Sequence, residues 1–241
     1  MYEERFYRGI AKPRDLDCYE VQYKETDLFC CTRGNFHGFI MGKVLFYRNQ
    51  LEEYIKSKPE FRDSLVPVMG DDPFAPRIAR EMIEASRIIG VGPMATVAGA
   101  IAEFIGRDIA PLSEDYIIEN GGDIYLRTSS ERIVEVYAKD SPFSERIGIS
   151  VKPDDRPYGI CTSSGTVGHS LSFGSADAVC IVGRSSLFTD GLATCLGNIV
   201  KKKDDIPTAI EKGKAFPDVT GILIVFDESL GVWGDLEIVE I

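Results

Sequence analysis

The chain is short of positive charge. Its 241 residues carry 27 Lys and Arg against 38 Asp and Glu, a net charge of -11 at pH 7. A surface that binds phosphate backbones needs clustered Lys and Arg, so nucleic acid is not an expected partner. The only basic run, Lys201-Lys202-Lys203, is cancelled at once by Asp204-Asp205 and reads as a solvated loop. Long apolar runs are missing as well. None approaches the ~20 residues of a membrane span, so no membrane is expected. The opening residues, MYEERFYRGI, are charged and lack the apolar core of a secretory signal, and the expected location is the cytoplasm. The six cysteines, at positions 18, 30, 31, 161, 180 and 195, form no C-x-x-C pair. That spacing excludes a zinc knuckle and a thioredoxin-type motif. There is no internal repeat, no low-complexity tract and no interdomain linker. At 44% apolar residues the composition is that of an ordinary globular chain, and a single domain over 1–241 is expected.

Several segments carry clear periodicity. Phe6 to Thr32 reads as strands, with Lys24 to Asp27 as a turn and Cys30-Cys31 near a strand end. Ile40, Val44, Tyr47, Leu51 and Ile55 trace one face of a helix from Phe39 to Lys58, which Pro59 stops. A linker from Pro67 to Pro76 leads to a second helix, with Ile78, Met82, Ile83 and Ile89 inside and Gly90 at its end. Gly92-Pro93 opens a third helix, Met94 to Ile105, which Gly106 closes. Its Ala95, Ala98, Gly99 and Ala102 form a narrow face that admits a helix, a strand or a flat ligand. Tyr116 to Arg127 reads as two strands joined at Asn120-Gly121. Ile133 to Ala138 and Arg146 to Val151 continue the strands, and Asp154 to Pro157 reads as a loop. Near the end come a short helix, Ile206 to Phe216, and strands at Thr220 to Asp227 and Asp235 to Ile241. Strands, three helices, then many strands with one helix among them is not the alternation of a doubly wound sheet. It implies an α+β fold, mostly antiparallel sheet covered by helices.

Chemistry concentrates between Cys161 and Asn198. Thr162, Ser163, Ser164, Gly165, Thr166, Val167, Gly168 and His169 form a run of small residues without an acid, a loop able to turn several backbone N–H groups toward one anion. Cys161 opens it and is the one thiol placed where chemistry could use it, whereas Cys180 and Cys195 read as core. Ala176 to Gly183 is long enough for one buried strand. Ser185 to Leu196 has helical spacing, and Gly197-Asn198 reads as its stop. Asp190 and Thr194 stand at i and i+4 and share a face. A carboxylate and a hydroxyl beside an anion-holding loop suit a hard cation such as Mg²⁺ that also touches phosphate. Each feature has a plainer account: a Ser/Gly turn, a packed histidine, a solvated charge.

The run ADAVCIVGRSSLFTDGLATCLGN resembles the C-terminal motif of the ApbE family, the FAD:protein FMN transferases, in which a strand precedes a helix carrying D-x-x-x-T. ENGGDI, at Glu119 to Ile124, resembles the same family's NxGGDI segment. From Gly34 to Asn198 the chain is similar to a cytosolic branch of ApbE-like proteins marked by ENGGDI, GVGPMA and CTSSGTVGHSLSFG. The resemblance implies an antiparallel sheet covered by helices. It implies a metal at Asp190 and Thr194, with a backbone carbonyl as a further contact. It also implies a FAD- or FMN-type ligand against Asn120, Gly121, Gly122 and Asp123 and the loop Thr162, Ser163, Ser164, Gly165 and His169. The expected partners are a small phosphate-containing molecule and either a protein acceptor or a second copy of the chain. Two family elements are altered. The K-G-x-A-x-D segment aligns with Met94 to Gly99, losing its basic and acidic residues. The H-x-x-D-P-x-T-G element is replaced by the shorter His169 to Gly174. The expected function is therefore a divergent flavin transferase. The alternative is a nucleotide- or thiol-ligand-binding accessory protein in anaerobic sulfur assimilation (homocysteine formation), in which Cys161 or Cys30-Cys31 takes part.

Overall fold

The computed structural model describes residues 13–164 and 174–241. Strands β1 (Asp17–Tyr23) and β2 (Thr26–Thr32) form a hairpin that leads into α1 (His37–Ser57), α2 (Pro59–Asp63), α3 (Arg77–Ile89) and α4 (Val97–Ile109). Strands β3 (Tyr116–Asn120), β4 (Asp123–Thr128), β5 (Arg132–Glu135), β6 (Ile147–Val151), β7 (Asp154–Ser163) and β8 (Ala178–Gly183) follow. Helices α5 (Ser186–Ile199) and α6 (Ile206–Gly213) precede β9 (Val219–Phe226), β10 (Ser229–Gly234) and β11 (Glu237–Glu240).

Eight strands form one antiparallel sheet in the order β1-β2-β3-β4-β7-β8-β9-β10, and β11-β6-β5 form a second. The central strands of the large sheet are buried on both faces, and their period-two side-chain alternation divides the core. On β8, Val179 and Ile181 join the cluster under the helices, while Ala178, Cys180 and Val182 join the cluster that includes Ile149 and Val151 of the small sheet. Strand β9 divides in the same way, Ile222 and Ile224 on one side and Leu223 and Val225 on the other. A strand with two buried faces has no polar alternation, which is why β8 reads as a plain apolar run. The expected α+β class, antiparallel sheet covered by helices, is the observed one.

The differences are local. Asp154 to Pro157 belongs to β7. Pro157 breaks the period there, and the β4–β7 ladder shifts register at that place, between Leu126 and Thr128. Thr162 and Ser163, assigned from sequence to a loop, complete β7 and pair with Cys180 and Val179. Gly106 does not close α4. The helix runs through it because a Cβ there would lie 2.3 Å from the Tyr125 ring, so the glycine serves close packing. Gly197 and Asn198 likewise lie inside α5, and α2 and β10 have no counterpart in the sequence expectation. Cys18 faces Cys31 across the hairpin and is disulfide-bonded to it. Among the described residues, no single helix is long and apolar enough to cross a membrane.

Ile181 is wholly buried at the centre of β8. Ile181→Ala leaves a cavity under the helices and is expected to lower unfolding stability by ~2–5 kcal/mol in urea titration. An unchanged midpoint would show that this strand is not central to the core.

Candidate functional site

Two helices cap each other. Glu103 of α4 is buried, and its Oε2 accepts from Ser185 Oγ at 2.7 Å and from the Leu187 amide at 3.0 Å, at the start of α5. Ser185 is the N-cap of α5 and accepts from the Phe188 amide. In the other direction, Asp190 Oδ2 accepts from the Gly99 amide at 2.9 Å, and the Ala98 amide also bonds to this carboxylate. The first N–H groups of a helix have no partner within it, and a carboxylate there also meets the positive end of the helix dipole. Ser186 Oγ closes the contact by donating to Gly99 O at 2.8 Å. The approach is close enough to require glycine. A Cβ on Gly99 would stand 2.1 Å from Ser186 O and 2.8 Å from Asp190 Cβ. The small-residue face expected on this helix therefore receives α5.

The β3–β4 corner meets the same helix end. Asn120 Nδ2 donates to Ala98 O at 3.1 Å. Gly121 and Gly122 are the two turn residues, with φ of 70° and 96°, and Asn120 pairs with Asp123. The turn thus sits one residue later than Asn120-Gly121. Two consecutive positive φ angles are what a two-residue hairpin of this hand demands. The Gly122 amide donates to Glu119 Oε1 at 2.8 Å, and space beyond its Cα is open, so backbone conformation selects glycine there.

Asp123 begins β4 and is buried beside Cys161, the Thr162 amide and Asp190. Burial, then the Asp190 charge, pushes its carboxyl well above the usual range, against the neighbouring Cys161 thiol and a hydrogen bond from the Thr162 amide. Burial also raises Asp190, against the two α4 amides. Cys161, expected to offer a reactive thiol, is wholly buried on β7 and donates its thiol hydrogen to Ser186 O at 3.3 Å. Burial and the charges of Asp123 and Asp190 hold it well above the ordinary thiol range, so it stays protonated and is no nucleophile. The expected thiol role of Cys30-Cys31 meets the same obstacle, since Cys30 is buried and Cys31 is joined to Cys18.

The structure thus gathers Asn120, Asp123 and Asp190 at the start of α4, with Gly121 and Gly122 on the adjoining turn. Thr162 and Ser163 stand in the β7–β8 ladder, and Ser164 follows at its end. Gly165 and His169 lie outside the described residues. Thr194 is one turn beyond Asp190 on α5 and is 9% exposed. Cys161 as a hydrogen-bond donor to Ser186 O, and Glu103 as a cap for α5, were missed from sequence. The helix start at Ser185 was the one local signal for the latter.

Among the described residues, no group of three or more His, Cys, Asp or Glu side chains is placed to hold a metal. The donor set is instead two neighbouring carboxylates, Asp123 buried on β4 and Asp190 half-buried on α5, with the Thr194 hydroxyl on the same helix as Asp190. Burial raises both, the Asp190 charge adds to the rise of Asp123, and backbone hydrogen bonds oppose it. A hard divalent cation relieves such a pair, and oxygen donors suit Mg²⁺.

The fold is that of the flavinyl transferases called ApbE. The apo Pseudomonas stutzeri flavinyl transferase ApbE superposes with a TM-score of 0.61 at 13% identity, over 90% of this chain and 94% of that one. Residues 10–218 match the model of the protein family described as AbpE bacteria, and the chain belongs to that family. A UPF0280 protein of Methanococcus aeolicus is 40% identical over 198 residues, 80% of this chain and 79% of the relative. A UPF0280 protein of Methanocaldococcus jannaschii is 40% identical over the same length, 80% of each chain.

Gly99→Ala forces α4 and α5 apart and is expected to cost ~1–3 kcal/mol in urea denaturation. Gly122→Val, strained at positive φ, is expected to cost a similar ~1–3 kcal/mol. Wild-type stability in either variant would contradict the packing or the turn.

Proposed function

We propose that the chain binds a flavin (FAD or FMN) or a related phosphate-containing molecule together with Mg²⁺, as a divergent member of the flavin transferases. The observation that carries this reading is the carboxylate pair at the start of α4, Asp123 buried and Asp190 half-buried beside it. Asp190 and Thr194 would hold the metal from one helix face, with Asp123 alongside. The bound ion would supply positive charge against phosphate oxygens. The chain's own residues prepare the place. The α4 amides fix the Asp190 carboxylate, and the Cys161 thiol, which donates to Ser186 O, lies beside Asp123. Asn120, Gly121, Gly122 and Asp123, with the loop carrying Thr162, Ser163, Ser164, Gly165 and His169, are the proposed ligand contacts.

One observation favours a second reading, in which the ligand is held without transfer. Where the resemblance aligns an acidic residue, this chain has Gly99, and the close α4–α5 contact leaves no room for a side chain. Transfer to an acceptor protein is then weak, and the protein acts as a binding partner.

Calorimetric titration of FAD and FMN, with Mg²⁺ and with EDTA, tests the site. Nucleotide and Mg²⁺ are expected to raise each other's affinity by the same factor. Asp190→Asn is expected to remove most of that coupling and Thr194→Val less of it, with circular dichroism verifying the fold of each. Metal-independent binding, or unchanged coupling in Asp190→Asn, overturns the assignment. Incubation with FAD, Mg²⁺ and an acceptor of a flavinyl transferase, scored by covalent flavin on a gel, separates the two readings.

A further inference from the structure

Gly99, Glu103 and Arg107 follow one another at four-residue spacing on α4, so they share one face over successive turns. The first two hold α5. The Gly99 amide and carbonyl meet Asp190 and Ser186, and Glu103 Oε2 meets Ser185 and Leu187. Arg107 takes the other Glu103 oxygen, donating to Oε1 through one guanidinium nitrogen. Through its second nitrogen it donates to Glu81 Oε2 of α3 at 2.6 Å. Glu81 Oε1 in turn accepts from Nε of the exposed Arg77 at 2.7 Å. The Arg107 guanidinium also lies 4.9 Å from the centre of the Phe104 ring. A line of alternating charge therefore runs from the surface of α3, across α4, to the first residues of α5.

We propose, on the reading that Asp190 and Thr194 hold a metal, that Arg107 is a positioning residue for that site, acting through Glu103. Glu103 is 2% exposed, and a buried carboxylate that loses its counter-charge is strongly destabilised. Such a side chain turns toward solvent or draws water in, and either movement releases Ser185 and Leu187. Leu187 stands three residues before Asp190, less than one helical turn. A shift at the start of α5 therefore moves the Asp190 carboxylate against Gly99. Arginine suits the place because its fork serves two carboxylates at fixed angles, here Glu103 from its own helix and Glu81 from α3. The ring of Phe104 further restricts the guanidinium. Arg107 thus aims Glu103, and Glu103 sets where α5 presents its oxygen donors.

Calorimetric titration of FAD with Mg²⁺ and with EDTA reads the coupling between nucleotide and metal. Arg107→Met keeps most of the side-chain length without the charge and is expected to lower that coupling about tenfold. Arg107→Lys keeps the charge and is expected to lose less than about threefold. In a Glu103→Gln background, adding Arg107→Met is expected to change the coupling by less than about twofold, because its effect passes through the Glu103 carboxylate. Circular dichroism verifies each fold. Should Arg107→Met not fold, Glu81→Gln removes one anchor of the guanidinium and is expected to lower the coupling about threefold. Amide hydrogen exchange of the metal-free chain supplies a readout without ligand. In Arg107→Met, the loss of protection at Leu187 and Gly99 is expected to exceed that in β9 about tenfold. Equal loss in both places marks a purely structural residue and overturns the proposal. So does coupling that Arg107→Met retains, or a loss in Arg107→Lys as large as in Arg107→Met. A wild type without coupling overturns the metal site itself, and the role of Arg107 with it.

Discussion

The structure depends on an exchange of caps between two helices. Asp190 of α5 accepts the first amides of α4, and Glu103 of α4 accepts the hydroxyl and amide at the start of α5. Glu103 is buried and Asp190 half-buried, so each carries a desolvation cost that such hydrogen bonds offset. The exchange fixes the two helices in both position and rotation. It works only at short range, and Gly99 supplies that range by having no side chain to place between α4 and Ser186.

Everything at the candidate site is referred to that junction. The β3–β4 corner reaches it through Asn120 on Ala98 O, and β7 reaches it through Cys161 against Ser186 O. The corner also sets Asp123 beside Asp190. Two like charges in a dry place raise each other's proton affinity, and a thiol or an amide softens the repulsion without removing it. The capping exchange therefore does two jobs with one carboxylate. It stabilises the helix pair, and it stands beside the raised carboxyl of Asp123.

Much of the framework was legible in the chain. The 3.6-residue spacing marked α1, α3 and α5, Gly90 marked a helix end in the left-handed region, and the apolar run marked β8. The breaks came where a residue had two uses. Gly106 and Gly197 looked like stops and are helix interior, because a glycine kept for close packing looks the same in sequence as one kept for a turn. Pro157 looked like a loop and sits at a register shift within β7. Strand β10 alternates glycine with apolar residues and ends at the sheet's edge, so it carries no strong period.

The sequence by itself determined the fold class, the order of most elements, the pairing of Asp190 with Thr194 on one helix face, and the family. These follow from local periodicity and from motif order, which a linear chain displays. The tertiary structure alone decided which groups meet across it. Cys161 became a buried donor to Ser186 O rather than a reactive thiol, Cys18 and Cys31 became partners, and Asp190 gained both a helix terminus and a second carboxylate as neighbours. Those outcomes rest on contacts between residues that lie from 13 to 91 positions apart. Side-chain ionisation depends on burial and on neighbouring charge, and neither exists until the sheet and the two capped helices have closed around the site.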